Sequence, residues 1–166
     1  EVKGFISLCN NGMVSLPDVN SIRQSLEGLE FNVNIDFLMS EASRYADVIL
    51  PGTSWAEDEG VVASAEARVI KINKAIEPIG DSRTDWWILF EIAKRMGREK
   101  YFKFNSPRDI FDEMRVASKG GKADYYGMSY EKIERQNGVM WPCPTEESTG
   151  TPRMFEDFKF YLPEGK

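Results

Sequence analysis

Histidine is missing altogether from the 166 residues. Its absence removes His-based nucleophilic triads, imidazole general bases and His metal ligands together. Cysteine is scarce. Cys9 and Cys143 stand far apart, with no Cys-x-x-Cys spacing. Such a pair cannot by itself hold an iron–sulfur cluster or a structural zinc, and it makes no disulfide scaffold. A reducing compartment, by default the cytoplasm, is the expectation. No apolar run approaches the ~18 residues that span a bilayer. Glu1-Val2-Lys3-Gly4 lacks the basic-then-apolar order of a signal peptide. The chain also lacks an initiating Met, which suggests a piece cut from something longer. Basic charge is short: 21 Lys and Arg against 27 Asp and Glu leave a net charge of −6. Neither nucleic acid nor an anionic membrane is expected as a partner, since both need a basic face. Neither GxGxxG nor GxxxxGK[ST] occurs, so the usual dinucleotide and P-loop signatures are missing.

What is present suits a folded domain of ordinary size, with 42% hydrophobic and 29% charged residues. Gly4–Cys9 reads as a short buried strand running into an Asn10-Asn11-Gly12 turn. Asn20 is a candidate cap for a helix carrying Ile22, Leu26 and Leu29. Residues 31–36 alternate as a second strand. Ser40 starts a short helix through Tyr45, and Val48-Ile49-Leu50 forms a third strand stopped by Pro51-Gly52. Strand and helix alternating in this way predict a right-handed parallel βαβαβ unit.

The middle changes character. Trp55 to Gly60 is acidic and reads as a solvated loop. Residues 61–63 and 68–72 resemble two short strands joined by a turn. Trp86, Leu89, Ile92, Ala93 and Met96 recur at helical steps, with Thr84 or Asp85 as N-cap and Gly97 at C′. Further on, Ser106 and Ser129 each head a short helix. The organisation read from this is a Rossmann-like α/β domain over 1–100. Additional helices over 101–144 pack on it, and an irregular, linker-like extension follows over 145–166.

In a parallel sheet, ligands bind beyond the carboxyl ends of the strands. That places Cys9-Asn10-Asn11-Gly12 with Ser15, then Ile35-Asp36, then Pro51-Gly52-Thr53-Ser54 at the candidate site, with Asp85 at a helix start beside them. A carboxylate there accepts both the N1–H and the N2 amine of guanine in a bidentate pair, or takes ribose hydroxyls. A plainer reading stands for each: Asp36 starts a turn and Asp85 caps a helix. Cys9, in an apolar strand, reads as inert. Glu57, Asp58 and Glu59 cannot converge on one metal as neighbours in a strand or helix.

A longer signature runs through Asp36-Phe37-Leu38-Met39-Ser40-Glu41-Ala42, Tyr45-Ala46-Asp47-Val48-Ile49-Leu50-Pro51 and Trp55-Ala56-Glu57-Asp58-Glu59-Gly60. Glu66-Ala67-Arg68-Val69, Ala75-Ile76-Glu77-Pro78, Asp85-Trp86 and Gly138-Val139-Met140-Trp141-Pro142-Cys143-Pro144 continue it in order. This series resembles the prokaryotic molybdopterin oxidoreductases of the dimethyl-sulfoxide-reductase superfamily. Formate dehydrogenase catalytic subunits and assimilatory or periplasmic nitrate reductases are the nearest types. The resemblance covers nearly the whole chain and implies a fragment of the third, Rossmann-like domain of a much longer subunit. It further implies one guanosine end of a bis-molybdopterin guanine dinucleotide cofactor with molybdenum as the ligand. The iron–sulfur cluster and metal ligand would lie elsewhere in that subunit. Its remaining domains and electron-transfer subunits would be partners, and a periplasmic location would follow from an export signal upstream.

By motif, the implied contacts are Asn11 and Ser15 from the first loop, Ile35 and Asp36 from the second strand, Gly52 and Thr53 from the third, and Asp85. No residue here is implied to be catalytic or to bind metal. Gly12 stands where the family usually has Pro, and Ile35 where some formate dehydrogenases have Gln, so Ile35 offers only its backbone. Substrate, formate or nitrate, is set by residues outside this chain. Two rivals are a stand-alone nucleotide-binding or assembly module and, more weakly, a nucleotide-dependent enzyme unrelated to molybdenum.

Overall fold

Six strands and five α-helices arise from this sequence in the computed structural model, which describes residues 2–160 and 162. By internal contacts the chain forms two units. The first comprises Glu1–Asp58 and Asn73–Lys103, and the second Glu59–Ile72 and Phe104–Lys166. Residues 161 and 163–166, the end of the expected 145–166 extension, lie outside the described residues.

The first unit is built on a parallel sheet of β1 (Gly4–Leu8), β2 (Phe31–Asp36) and β3 (Val48–Pro51), with β2 in the centre. Alternation along β2 sends Val33 and Ile35 to one face. There they pack with Ile88 from α3 (Asp85–Arg95), flanked by Leu50, Leu89 and Ile92. Each fully buried side chain of this size contributes roughly 1.5–3 kcal/mol. The opposite face carries Asn32 and Asn34, both buried. Asn34 Nδ2 donates to Ser7 Oγ at 2.8 Å, and Ser43 Oγ donates to Asn34 Oδ1 at 2.8 Å. Asn34 is satisfied by this network, whereas Asn32 Nδ2 donates to Tyr45 O at 3.0 Å and its Oδ1 stays unpartnered.

Two expectations change. β1 is not buried: Phe5, Ile6 and Leu8 remain exposed, since β1 is an edge strand with one neighbour. The helix α2 (Val19–Glu27), which follows the single-turn α1 (Gly12–Ser15), is capped by Asp18 rather than Asn20. The Asp18 carboxylate accepts from Ser21 N at 3.3 Å and Ser21 Oγ at 2.7 Å, from a left-handed backbone. No residue of α2 is fully buried. Between it and the sheet runs a groove of about 520 Å³, lined by Phe5, Leu16, Ile22, Leu26 and Leu29 among others. The short helix expected from Ser40 is a 3₁₀ turn over Ala42–Tyr45.

The acidic loop also differs from a solvated one. Glu57 is buried, and its carboxylate accepts from Ser54 N at 2.8 Å and Ile79 N at 2.7 Å. Those two N–H donors hold its carboxyl below the usual range.

The second unit pairs β4 (Gly60–Ala63) with β5 (Arg68–Ile72) as an antiparallel hairpin, and β5 with β6 (Val139–Met140). Two helices complete it, α4 (Pro107–Ser118) and α5 (Tyr130–Arg135), each N-capped by the serine the sequence suggested. Val69, Phe111, Met128, Ile133, Val139 and Cys143 form its core with Tyr130. The hairpin at 59–72 thus groups with residues beyond 103. Inside this unit the Lys132 ammonium is buried and donates to three carbonyls, Gly127 at 2.9 Å, Glu146 at 2.9 Å and Ser148 at 2.6 Å. Those bonds tie residues 145–148, the start of the extension, to α5.

Candidate cofactor-binding site

Parallel strands deliver their carboxyl ends to one edge of the sheet, and in the first unit three loops meet there. Just past β1, Cys9 N donates to Ile35 O at 2.9 Å. This fixes Cys9 with φ +49, a left-handed conformation unusual for a residue with a side chain. Asn11 follows. Its Nδ2 donates to Glu41 Oε2 at 2.6 Å and its Oδ1 accepts from Ala42 N at 3.3 Å. Ser15 Oγ donates to the Asn11 carbonyl at 2.7 Å. Asn11 and Ser15 therefore form one cluster, tying the first loop to the 3₁₀ turn.

A second cluster forms where β2 and β3 end. Asp36 Oδ1 accepts from Phe37 N at 2.8 Å, and Gly52 N donates to Asp36 O at 3.1 Å. The Ile35 side chain is fully buried, and its carbonyl accepts from Cys9 N, leaving one lone pair as its contribution to the edge. Thr53 is buried beside Gly52. Asp85 opens α3, where a negative side chain is favoured by the helix dipole. Its Oδ2 accepts from the Cys9 thiol at 3.1 Å, while its buried Oδ1 has no hydrogen-bond partner. A Cβ on Gly52 would come within 2.7 Å of that Oδ1. The absence of a Cβ at Gly52 leaves this oxygen its place; a side chain there would push the Asp85 carboxylate aside.

The electrostatics follow from this crowding. Partial burial, with the nearby Asp36 charge, raises the Asp85 carboxyl above its usual range despite the thiol bond. Burial, the hydrogen bond to Asp85 and the charges of Asp85 and Asp36 push the Cys9 thiol up to about 12. Cys9 is thus a permanent donor at neutral pH. Native Cys9 is expected to react with iodoacetamide at pH 8 about a thousandfold more slowly than in the unfolded chain, because only the thiolate attacks. Peptide mapping after timed alkylation measures the ratio. Equal rates in the two states would mean that the thiol does not donate to Asp85.

The sequence reading put Cys9 at this edge with Asn10-Asn11-Gly12 but missed its thiol's bond to Asp85. The available signal was its position, immediately before an Asn-Asn-Gly turn at a strand's carboxyl end. Phe37, Leu38, Met39 and Trp55, which follow β2 and β3, are exposed apolar residues at the same edge.

A negative cluster with one unpartnered carboxylate oxygen seeks N–H or O–H donors. The sequence profile of the molybdopterin oxidoreductase family matches residues 1–95. The chain belongs to this family. It is 42% identical over 167 residues to the assimilatory nitrate reductase catalytic subunit of Bacillus subtilis, covering 100% of this chain and 23% of that protein. It is 37% identical to formate dehydrogenase H of Escherichia coli, covering 99% of this chain and 22% of that one. Among solved structures, acetylene hydratase from Pelobacter acetylenicus shares the fold. The TM-score is 0.64 and the identity 23%, over 83% of this chain and 18% of that one. The chain therefore spans less than a quarter of the length of these relatives and corresponds to a fragment of such subunits. Membership implies a molybdenum–pterin cofactor. No helix among the described residues is long and apolar enough to cross a membrane.

Proposed function

We propose that this chain supplies part of the site for one guanosine end of a bis-molybdopterin guanine dinucleotide in a molybdenum-dependent oxidoreductase catalytic subunit. The observation that carries the reading is the unpartnered Asp85 Oδ1 beside Gly52, at the sheet edge where such folds take ligands. The residues fit the group: Asp85 or Asp36 accepts the paired donors of the guanine edge. Asn11, Ser15 and Thr53 would hold ribose or phosphate oxygens, with Gly52 permitting close approach. When bound, the cofactor supplies electron transfer through molybdenum. The residues here bind and orient its nucleotide end and perform no redox step, so the isolated fragment is inactive. The iron–sulfur cluster, the metal ligand and the substrate site fall to other parts of the subunit. The substrate is formate, with nitrate as the alternative. The rest of the subunit and electron-transfer proteins are the partners. The scarcity of cysteine supports a cytoplasmic setting, with the periplasm as the alternative.

The test is Asp85→Asn in the full-length enzyme. Replacing the carboxylate removes a charge-assisted bidentate acceptor, so guanine nucleotide per polypeptide should fall about tenfold. Stability should move the other way. The folded-state pKa of Asp85 lies above its ordinary value of 3.8, so ionisation opposes folding. That penalty is absent below the unfolded pKa and fully present above the folded one. At pH 7 the Asn variant should therefore melt higher when empty. Unchanged guanine content in the purified variant would sink the assignment.

A further inference from the structure

We propose that Cys9 is a positioning residue: its thiol fixes the orientation of the Asp85 carboxylate for the ligand's base. The proposal rests on the guanosine reading above. An aspartate's terminal torsion is broad and roughly two-fold, so an unrestrained carboxylate samples many planes. Accepting two parallel N–H donors requires one plane. In this chain two contacts define it. Oδ1 lies against Gly52, within 2.7 Å of where a Cβ would stand. Oδ2 accepts the Cys9 S–H at 3.1 Å. A carboxylate oxygen has a second lone pair, so the thiol bond leaves Oδ2 able to accept from a ligand as well.

The backbone supports this role. Cys9 keeps φ +49, where glycine would sit without strain. This left-handed backbone sets the direction from which the thiol leaves the chain. The Cys9 N–H to Ile35 carbonyl bond at 2.9 Å fixes the thiol's origin, joining the first strand end to the second. Cys9 thus bridges the ends of β1 and β2 to the start of α3. No proton leaves Cys9 at any stage, since it acts as a donor only.

Three variants of the full-length enzyme test this, each read by guanine nucleotide per polypeptide after desalting and by thermal melting. Cys9→Gly removes the donor and relieves the backbone. It should melt at or above the wild-type temperature yet retain about fivefold less guanine nucleotide, the loss expected for one weak hydrogen bond. Cys9→Ser restores a donor and should retain wild-type content within about twofold. Asp85→Asn provides the reference loss. Cys9→Gly with wild-type content, beside a depleted Asp85→Asn, would overturn the role of Cys9 and leave the guanosine reading standing. Wild-type content in both would overturn that reading as well. Depletion in Cys9→Gly and Cys9→Ser alike, with both melting lower, would show a purely structural residue and also overturn the proposal.

Discussion

Lys132→Met should lower the melting temperature of the chain by roughly 10 °C, at about 2–4 °C per kcal/mol for a chain of this size. The Lys132 side chain is 5% exposed. Its ammonium donates to the carbonyls of Gly127, Glu146 and Ser148, with Thr145 O at 3.4 Å and Cys143 Sγ at 3.3 Å also in reach. Hydrogen bonds, first from its own backbone N–H, hold the Glu147 carboxyl below its usual range, and the charge of the Lys132 ammonium helps. Three N–H protons thus meet backbone acceptors, and the positive charge is solvated by carbonyl dipoles. Methionine fills the same length with no donor. Each orphaned buried carbonyl costs about 1–3 kcal/mol. Relief from burying an ammonium offsets part of that, leaving about 3–5 kcal/mol. A circular-dichroism melt measures it. A shift under about 3 °C would mean that residues 143–148 reorganise to find water.

Gly127→Ala should cost about 3 kcal/mol, because the overlap is with backbone and not with a movable side chain. A Cβ there would overlap the Thr145 carbonyl and come within 2.7 Å of the Cys143 carbonyl. Gly127 N already donates to Cys143 O at 2.7 Å, so the two segments cannot separate without losing that bond. Urea unfolding with an unchanged slope and an earlier midpoint is the expected result. The same loop serves both variants, so the double variant should lose less than the sum of the two. Full additivity would show that Gly127 and Lys132 anchor the loop independently.

Where the candidate loops meet could be read from the sequence because strand ends are punctuated. Pro51-Gly52 after an apolar run and Asp36 after an alternating one place two loops at one edge, and the β1-β2-β3 order agrees. The serine caps at 106 and 129 were equally legible, being local hydrogen bonds. What failed was non-local. Glu57 reads as solvated because its neighbours are acidic. Its burial depends on Ile79 N, 22 residues on. Cys9 reads rightly as an unreactive thiol, but its donation to Asp85, 76 residues away, leaves no local trace. The exposure of β1 is a third case: apolar content predicts burial, but an edge position leaves Phe5 and Ile6 open. No pattern within 145–148 announces that its carbonyls surround an ammonium from α5.

The grouping of Glu59–Ile72 with Phe104–Lys166 has a consequence for anyone cutting this chain. The polypeptide changes unit at 58–59, returns at 72–73 and leaves again at 103–104, so no single cleavage yields either unit intact. A truncated chain starting at residue 104 would lack Val69, which shares a core with Val139 and Ile133. One ending at 58 would lack Asp85 and Ile88. The two bonds from Ala75 N and Ile76 N to Ala56 O, at 2.8 and 3.1 Å, close the excursion where it begins. Ending the chain at 103 and replacing 59–72 by a short glycine-rich bridge is therefore the surgery that isolates the first unit. Loop-closure entropy grows only slowly with length, so a few residues more or less in that bridge should matter little.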